Sequence, residues 1–406
     1  MSYLGTSDNS IFFNATTNAT NNGTALNSLG FVAPVEVRRG AASFAFGFTR
    51  QSNFTSEVSF NGFNPLSSII QTYAADKQVF NNNTGEQDNL AYQLYLANID
   101  SVSPTTSRWT SPIKNNVQQS GTVTESGGLN NWMVGGAMDV AKNISVGLTL
   151  TYVAGSYRYD RTYVEQDSKL LYAYPFDFSR FQLDDYIDGE ISGFNAKFGV
   201  MFHGDRYFKL GLTAKTPTWY TVSESYGTKG QSTFRIADKN GVNQYGPVSS
   251  NGDTKYDVTT PWVLGASGAF DYAGLTVSGD VEYTDWTQTK FSNADQGTLD
   301  LNASFKNTFR GTLNYRAGAE YEIAPLGLAL RGGFIYNPSI YKNDPSNFDQ
   351  KYFTAGLGVK VGDQTGLDLG YAHGWRDSYR VNYDATSTVA EKAKTETFVL
   401  TVTHHF

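Results

Sequence analysis

Apolar residues return at every second position through most of this chain, in runs closed by turn residues. Ala42, Phe44, Phe46 and Phe48 alternate with Ser43, Ala45, Gly47 and Thr49, and Ile144, Val146, Leu148, Leu150 and Tyr152 with Ser145, Gly147, Thr149 and Thr151. The same period runs through Phe194 to Phe202, Leu275 to Tyr283, Leu313 to Tyr321, Leu326 to Tyr336, Phe353 to Val359 and Leu367 to Tyr371. A period of two is the signature of a strand with one apolar face. The other face is not the Lys- and Glu-rich side of a soluble sandwich. It carries Gly, Ser, Thr and Asn with isolated charges of both signs, which suits the lining of a water-filled barrel.

Connection lengths alternate too. Tight turns fall at Arg39-Gly40, Ala141-Lys142-Asn143, Gly204-Asp205, Ala273-Gly274, Ala324-Pro325 and Gly362-Asp363. Between them lie polar stretches at 53–130, 164–188, 227–254, 290–305, 341–350 and 381–390. Short turns at one end and long loops at the other predict an all-β fold, a transmembrane antiparallel β-barrel, in one domain over residues 29–406. About 13 strands can be counted from Leu29 to Phe406, whereas bacterial single-chain barrels have an even number. One strand is therefore expected to be lacking at the N-terminus. Tyr3-Leu4-Gly5 reads as its tip and Asn14 to Thr24 as the loop after it, so that residues 1–28 are a remnant of a longer precursor that also carried a signal peptide.

Composition narrows the partners. The 406 residues hold 26 Tyr, 27 Phe and 40 Gly, a stock suited to strands and polar connections. No run of about 18 apolar residues occurs, which excludes a helical membrane span but not a barrel. The net charge of −7 leaves no basic stripe for nucleic acid. Zero cysteines exclude disulfides and thiolate metal sites. No cofactor or metal is expected.

Enzyme motifs are missing: there is no Gly-x-Ser-x-Gly elbow, Walker loop or His-x-x-x-His pair. His203, His373, His404 and His405 are spread so that a Ser-His unit within one wall is not expected. Phe398, Leu400 and Val402 alternate up to a terminal Phe406, which resembles the signal read by barrel-assembly machinery. Outer-membrane lipid and lipopolysaccharide are the other expected partners.

The 53–130 stretch predicts two helices. Asn64-Pro65 reads as a cap and a first-turn proline, followed by Leu66, Ile69, Ile70 and Tyr73 at helical spacing. A second pattern starts near Asp88, with Tyr92, Leu96 and Ile99 on one face. An apolar helix pair outside a membrane barrel reads either as a hydrophobic capture groove or as a self-packed cap. Phe176 and Phe178, in an aromatic segment that begins at Leu170, would complete the groove or sit in an interfacial girdle. Lys197, Lys209, Lys215, Arg310, Arg316, Arg331 and Arg376 fall on the lumen parity, opposed by Glu36, Asp280, Glu282, Glu320 and Asp368. They read as wall-stiffening ion pairs or as holders of a substrate carboxylate. Pro34 removes a ladder donor and reads as a local opening or a strand end.

Several phrases resemble the FadL/TodX family of outer-membrane transporters for long-chain fatty acids and aromatic hydrocarbons. They are Lys215-Thr216-Pro217 after Lys209-Leu210-Gly211-Leu212, Thr260-Pro261-Trp262, and Glu282-Tyr283-Thr284-Asp285-Trp286. Tyr315 to Tyr321, Leu330-Arg331-Gly332-Gly333-Phe334 and Leu367 to His373 continue the order. The resemblance implies a 14-stranded barrel in the bacterial outer membrane with an N-terminal hatch, which is expected to be lacking here together with the first strand. It further implies passive capture of hydrophobic ligands at extracellular loops and lateral release through the wall, with no catalysis. A general porin for polar solutes and an adhesin or structural barrel stand as the alternatives.

Overall fold

The computed structural model describes residues 1–74, 79–81, 89–204 and 207–406. It begins with a hairpin of β1 (Ser2–Phe12) and β2 (Ala15–Ala25), and β2 continues as β3 (Ser28–Val35). β4 (Ala42–Asn53) and β5 (Ser56–Asn64) form one line broken at Phe54-Thr55. An excursion follows: α1 (Ile70–Tyr73), β6 (Val79–Asn81), α2 (Leu90–Gln93), β7 (Asn98–Ser103) and β8 (Thr106–Thr110), the three strands forming a small sheet of their own. Three long strands come next, β9 (Val117–Ala141), β10 (Ile144–Gln166) and β11 (Phe178–His203).

The next lines are again broken: β12 (Phe208–Lys215) with β13 (Trp219–Phe234), β14 (Gln244–Thr259) with β15 (Val263–Tyr272), and β16 (Leu275–Asp285) with β17 (Lys290–Ser292). After α3 (Gln296–Asp300) and α4 (Asn302–Thr308) come β18 (Gly311–Ile323), β19 (Leu328–Asn337), β20 (Gln350–Val361), β21 (Thr365–Val381) and β22 (Thr388–His404).

Counting each broken line once, the described residues supply fourteen antiparallel staves, every one laddered to both neighbours over part of its length. The ring closes where β1 runs along β22, from Ser2 opposite Val399 to Ile11 opposite Ala390. The expected count of about 13 is thus corrected. The first stave is present from Ser2, and the polar stretch expected as a loop is strand β2.

Outward side chains explain the miss. Phe44 and Phe46, Leu148 to Tyr152, Phe194 to Phe202, Leu210 and Leu212, Leu313 and Tyr315, and Phe398 to Val402 lie exposed in a continuous apolar belt. On β10 the belt runs from Ile144 to Tyr152, and a rise of about 3.3 Å per residue at a tilt of about 40° makes it about 20 Å tall. Above it the staves continue outside the bilayer, where neither face has to be apolar and the period disappears. The loops expected at 164–188 and 227–254 therefore shrink to 167–177 and 235–243. The tight turns fall together at the opposite end; Asp205 lies outside the described residues.

Both predicted helices are single turns. Asn64 Oδ1 accepts from Leu66 N at 2.8 Å and Ser67 N at 3.2 Å, yet the helix proper starts only at Ile70. Asp88 lies outside the described residues; α2 is capped by Asn89, and Leu96 and Ile99 fall beyond its end, Ile99 in β7. Pro34 sits opposite Ser43 on β3, which among the described residues pairs with β4 alone, the kind of singly paired strand on which proline is tolerated.

Candidate functional site

At the extracellular end the excursion after β5 folds down into the barrel mouth. Ile69, Ile70, Leu90, Leu94 and Leu96 pack against the inward-facing Phe12, Phe60, Tyr163, Phe181, Leu183 and Val389, which come from five different staves. The facing glycines make room for the rings: a Cβ on Gly121 would lie 2.8 Å from the Phe60 ring, and one on Gly62 2.8 Å from Phe12. This is the main apolar core among the described residues, and it lies in the barrel mouth.

A buried polar pin holds the excursion to the wall. Glu165, on β10 well above the membrane-spanning segment Ile144–Tyr152, is 0% exposed. Its carboxylate accepts from Ile69 N at 2.8 Å, Gln119 Nε2 at 2.8 Å, Tyr163 OH at 2.9 Å and the Ser68 hydroxyl. Burial pushes this carboxyl up from its ordinary value, and the four donors offset only part of that. Gln119 also donates to Tyr383 OH at 2.7 Å, and Ser387 donates to Gln119 at 3.0 Å, so β9, β10 and the β21–β22 turn share one network.

A second clamp holds the loop 167–177. Asp167 accepts from Leu171 N at 2.9 Å, Tyr172 N at 2.8 Å and the Arg235 guanidinium. Burial would raise its carboxyl, but the two backbone donors and the arginine outweigh that and hold it below the usual carboxylate range.

Below this plug the barrel is hollow. A cavity of about 560 Å³ is bordered by Asp8, Glu125, Tyr157, Arg376, Arg380 and Glu391, and one of about 800 Å³ lies nearer the short turns. The larger is walled by small residues and by ion pairs: Arg316 reaches Asp280 at 3.0 Å and Glu282 at 2.7 Å, and Arg331 reaches Glu320 at 2.5 Å and also Asp368.

A model of the outer membrane protein transport protein family (OMPP1/FadL/TodX) matches residues 72–406. The chain belongs to the OMPP1/FadL/TodX family. The fold agrees with solved structures. The P. putida toluene transporter TodX is 11% identical, with 100% of this chain and 89% of that one covered at a TM-score of 0.52. A Pseudomonas aeruginosa FadL homologue is also 11% identical, with 99% and 89% covered at a TM-score of 0.57. No match is found among curated proteins. As an OMPP1/FadL/TodX member this is an outer-membrane transport protein, and the belt of exposed apolar residues is its lipid-facing surface.

In this family member three of the phrases that carried the resemblance meet side by side. β12–β13 breaks at Thr216-Pro217-Thr218, β14–β15 at Thr260-Pro261-Trp262 and β16–β17 after Asp285, all at one height on adjacent staves. Pro217 and Pro261 lack an N–H, and threonines take over the pairing. Thr216 Oγ1 accepts from Ala196 N at 3.0 Å, and Thr260 Oγ1 accepts from Thr218 N at 2.8 Å. The seam is a repaired wall across three staves.

The expected ligand residues separate into two groups. Ile69, Ile70, Leu96 and Phe178 are buried in the mouth core, with Tyr73 packed against it, so they fill space rather than line an open groove. Leu66, Tyr92 and Phe176 are exposed. Among the expected lumen cations, Arg316 and Arg331 are neutralised by carboxylates, and Arg310 donates to Ser339 O at 2.9 Å, with Asp349 3.9 Å away. Lys197 and Lys215 face the lumen on neighbouring staves. Sequence reasoning missed Glu165 and Gln119, which lie in polar stretches and meet only through the register of β9 and β10.

One contact runs against expectation. His203 Nε2 lies 2.9 Å from Ser145 Oγ, but that hydroxyl donates to Asp139 at 2.6 Å. A nucleophilic triad needs the carboxylate behind the histidine, whereas here it faces the serine, so the group lacks the order that would activate Ser145.

Proposed function

We propose that this protein carries hydrophobic small molecules passively into the outer membrane, catching them at the extracellular crest and releasing them sideways into lipid. The observation that supports the reading is an apolar crest with no lipid to cover it. Leu66, Leu170, Leu171, Tyr174 and Phe176 are exposed above the mouth core, Tyr174 at 82%. The loop that bears four of them is tied back to the stretch before Leu66 by Lys169, whose Nζ stands 3.3 Å from the centre of the Phe63 ring. Capture is thus assigned to the exposed crest, not to the buried Ile69 and Ile70. Lateral release suits an apolar cargo, because each methylene that stays out of water retains about 0.8 kcal/mol.

The test uses intact bacterial cells displaying the barrel and compares accumulation of a radiolabelled long-chain fatty acid, toluene and a small sugar. Uptake of the apolar compounds without the sugar is expected, reduced severalfold in Leu170→Asp/Leu171→Asp. Sugar uptake with no apolar preference would replace this reading with a general porin.

A further inference from the structure

Above the apolar belt the outward face of the barrel differs in charge from one side to the other. On β10, β11, β13 and β14 it is acidic: Asp160, Asp184, Asp188, Glu190, Asp253 and Asp257 share the outward parity, against Arg158, Lys229 and Lys255. Arg158 already pairs with Asp160 at 2.7 Å. On β22 the outward parity set by the exposed Phe398, Leu400 and Val402 carries Lys392 and Lys394 instead, both exposed. Among the described residues neither ammonium has an ion pair within 4.0 Å or a hydrogen bond.

These lysines stand at the upper rim of the lipid-facing surface. On β10 the belt ends at Tyr152, the ninth residue from Ile144, and the ninth residue of β21 is His373. An aromatic band runs along that height: Phe353 lies 5.4 Å from Trp375, Trp375 5.7 Å from His373, and Tyr371 4.9 Å from Phe398. Rings at a rim mark the level of the lipid head groups. Lys394 is directly opposite Trp375, and Lys392 is the next outward position, about 7 Å further along the strand. The acids beside them have partners of their own. Glu396 accepts from the Tyr371 hydroxyl and lies 2.6 Å from His373 Nδ1, and Asp377, opposite Lys392, accepts from Asn347 Nδ2 at 2.8 Å. On the other flank β1 and β2 turn Ser7, Asn9, Asn18 and Thr20 outward, an uncharged surface of hydroxyls and amides.

We propose that this face docks the phosphorylated glycolipid of the outer leaflet, lipopolysaccharide, with Lys392 and Lys394 taking a phosphate of its lipid A. The acyl chains lie on the aromatic band, and the sugar rings lie across the hydroxyls and amides of β1 and β2. Acyl chain, phosphate and sugar thus each meet the surface chemistry that suits them. Charge-assisted hydrogen bonds to phosphate oxygens are the strong kind, and lysines beside an anionic head-group layer add to the attraction. The acidic face on β10 to β14 repels the same phosphates, so the lipid is held on one side of the barrel. The site lies on the outer surface and is independent of the cargo and of the transport reading.

The experiment is native mass spectrometry of the full chain refolded into detergent, titrated with bis-phosphorylated lipid A, with lipid A stripped of its phosphates, and with phosphatidylglycerol. Phosphorylated lipid A is expected to bind about tenfold more tightly than either of the others. Lys392→Gln/Lys394→Gln should abolish that preference and Lys392→Arg/Lys394→Arg should keep it, while Lys229→Gln/Lys255→Gln on the acidic face should leave it unchanged. Each variant is checked for the heat-modifiable gel migration of a folded barrel. Equal binding of lipid A with and without its phosphates, or a preference that survives the Lys392→Gln/Lys394→Gln pair, overturns the site. Phosphatidylglycerol binding as tightly as lipid A overturns the glycolipid as its occupant. Displacement of lipid A by millimolar inorganic phosphate would make this a site for the free anion and overturn the lipid.

Discussion

Gln119 and Glu165 stand opposite each other on β9 and β10, and the Gln119 amide donates to the Glu165 carboxylate across 2.8 Å. Through this pair the mouth plug is fastened to the wall, because the same carboxylate receives the backbone N–H of Ile69 and the hydroxyl of Ser68. The relationship makes the plug sensitive to pH. A carboxyl raised by burial favours its protonated form in the folded mouth. Its stabilising contribution is therefore complete below the ordinary glutamate pKa and is lost as pH rises through the folded-state value. Hydrogen exchange at Ile69 and Ile70, corrected for intrinsic rates, should accelerate with pH in the native protein and lose that extra slope in Glu165→Gln. An identical slope in both would remove Glu165 as the cause.

The loop clamp should respond in the opposite sense. Asp167 is held low, so its contribution is present above the ordinary aspartate value and lost as pH falls through the folded one. Arg235→Met leaves a buried carboxylate without its cation, at a cost of about 3 kcal/mol. Protease cleavage between Ser168 and Phe176 should become faster at neutral pH in this variant, and unchanged cleavage would show that the arginine does not hold the loop.

Truncating the mouth core tests whether it is the seal. Ile70 and Leu94 are both 0% exposed, and replacing either with Ala should destabilise the plug by about 2 to 5 kcal/mol. Planar-bilayer conductance should rise in Ile70→Ala/Leu94→Ala while the barrel keeps its folded gel migration. Conductance equal to that of the native protein would mean that another element blocks the pore.

At the seam, Thr260→Val deprives the buried Thr218 N–H of its acceptor, and a loss of about 1 to 3 kcal/mol is expected. Thr260→Ser should restore most of it. Urea unfolding in lipid vesicles checks both, and equal stability of the valine and serine variants would show that the hydroxyl does not support the wall.

The sequence by itself determined the architecture. A period of two from Phe44 to Val402, with apolar residues on one parity and Gly, Ser, Thr and scattered charges on the other, can be satisfied only by a closed sheet with lipid outside and water inside. It also placed the short-turn end and, through the phrases at Pro217, Pro261 and Trp286, the family. What lay above the bilayer was not legible, because there neither face is forced to be apolar: Ala15–Ala25 and the upper parts of β10 and β13 read as loops and are strands. Only the tertiary structure decided which apolar loop residues are buried. Ile70 and Leu66 look alike in the helical pattern, yet one is 0% and the other 62% exposed, because the loop turns down into the barrel between them. The meaning of the lumen charges was likewise a matter of register. Ladder pairing sets Arg316 beside Asp280 and leaves Lys197 facing Lys215, and no spacing along the chain distinguishes the one arrangement from the other.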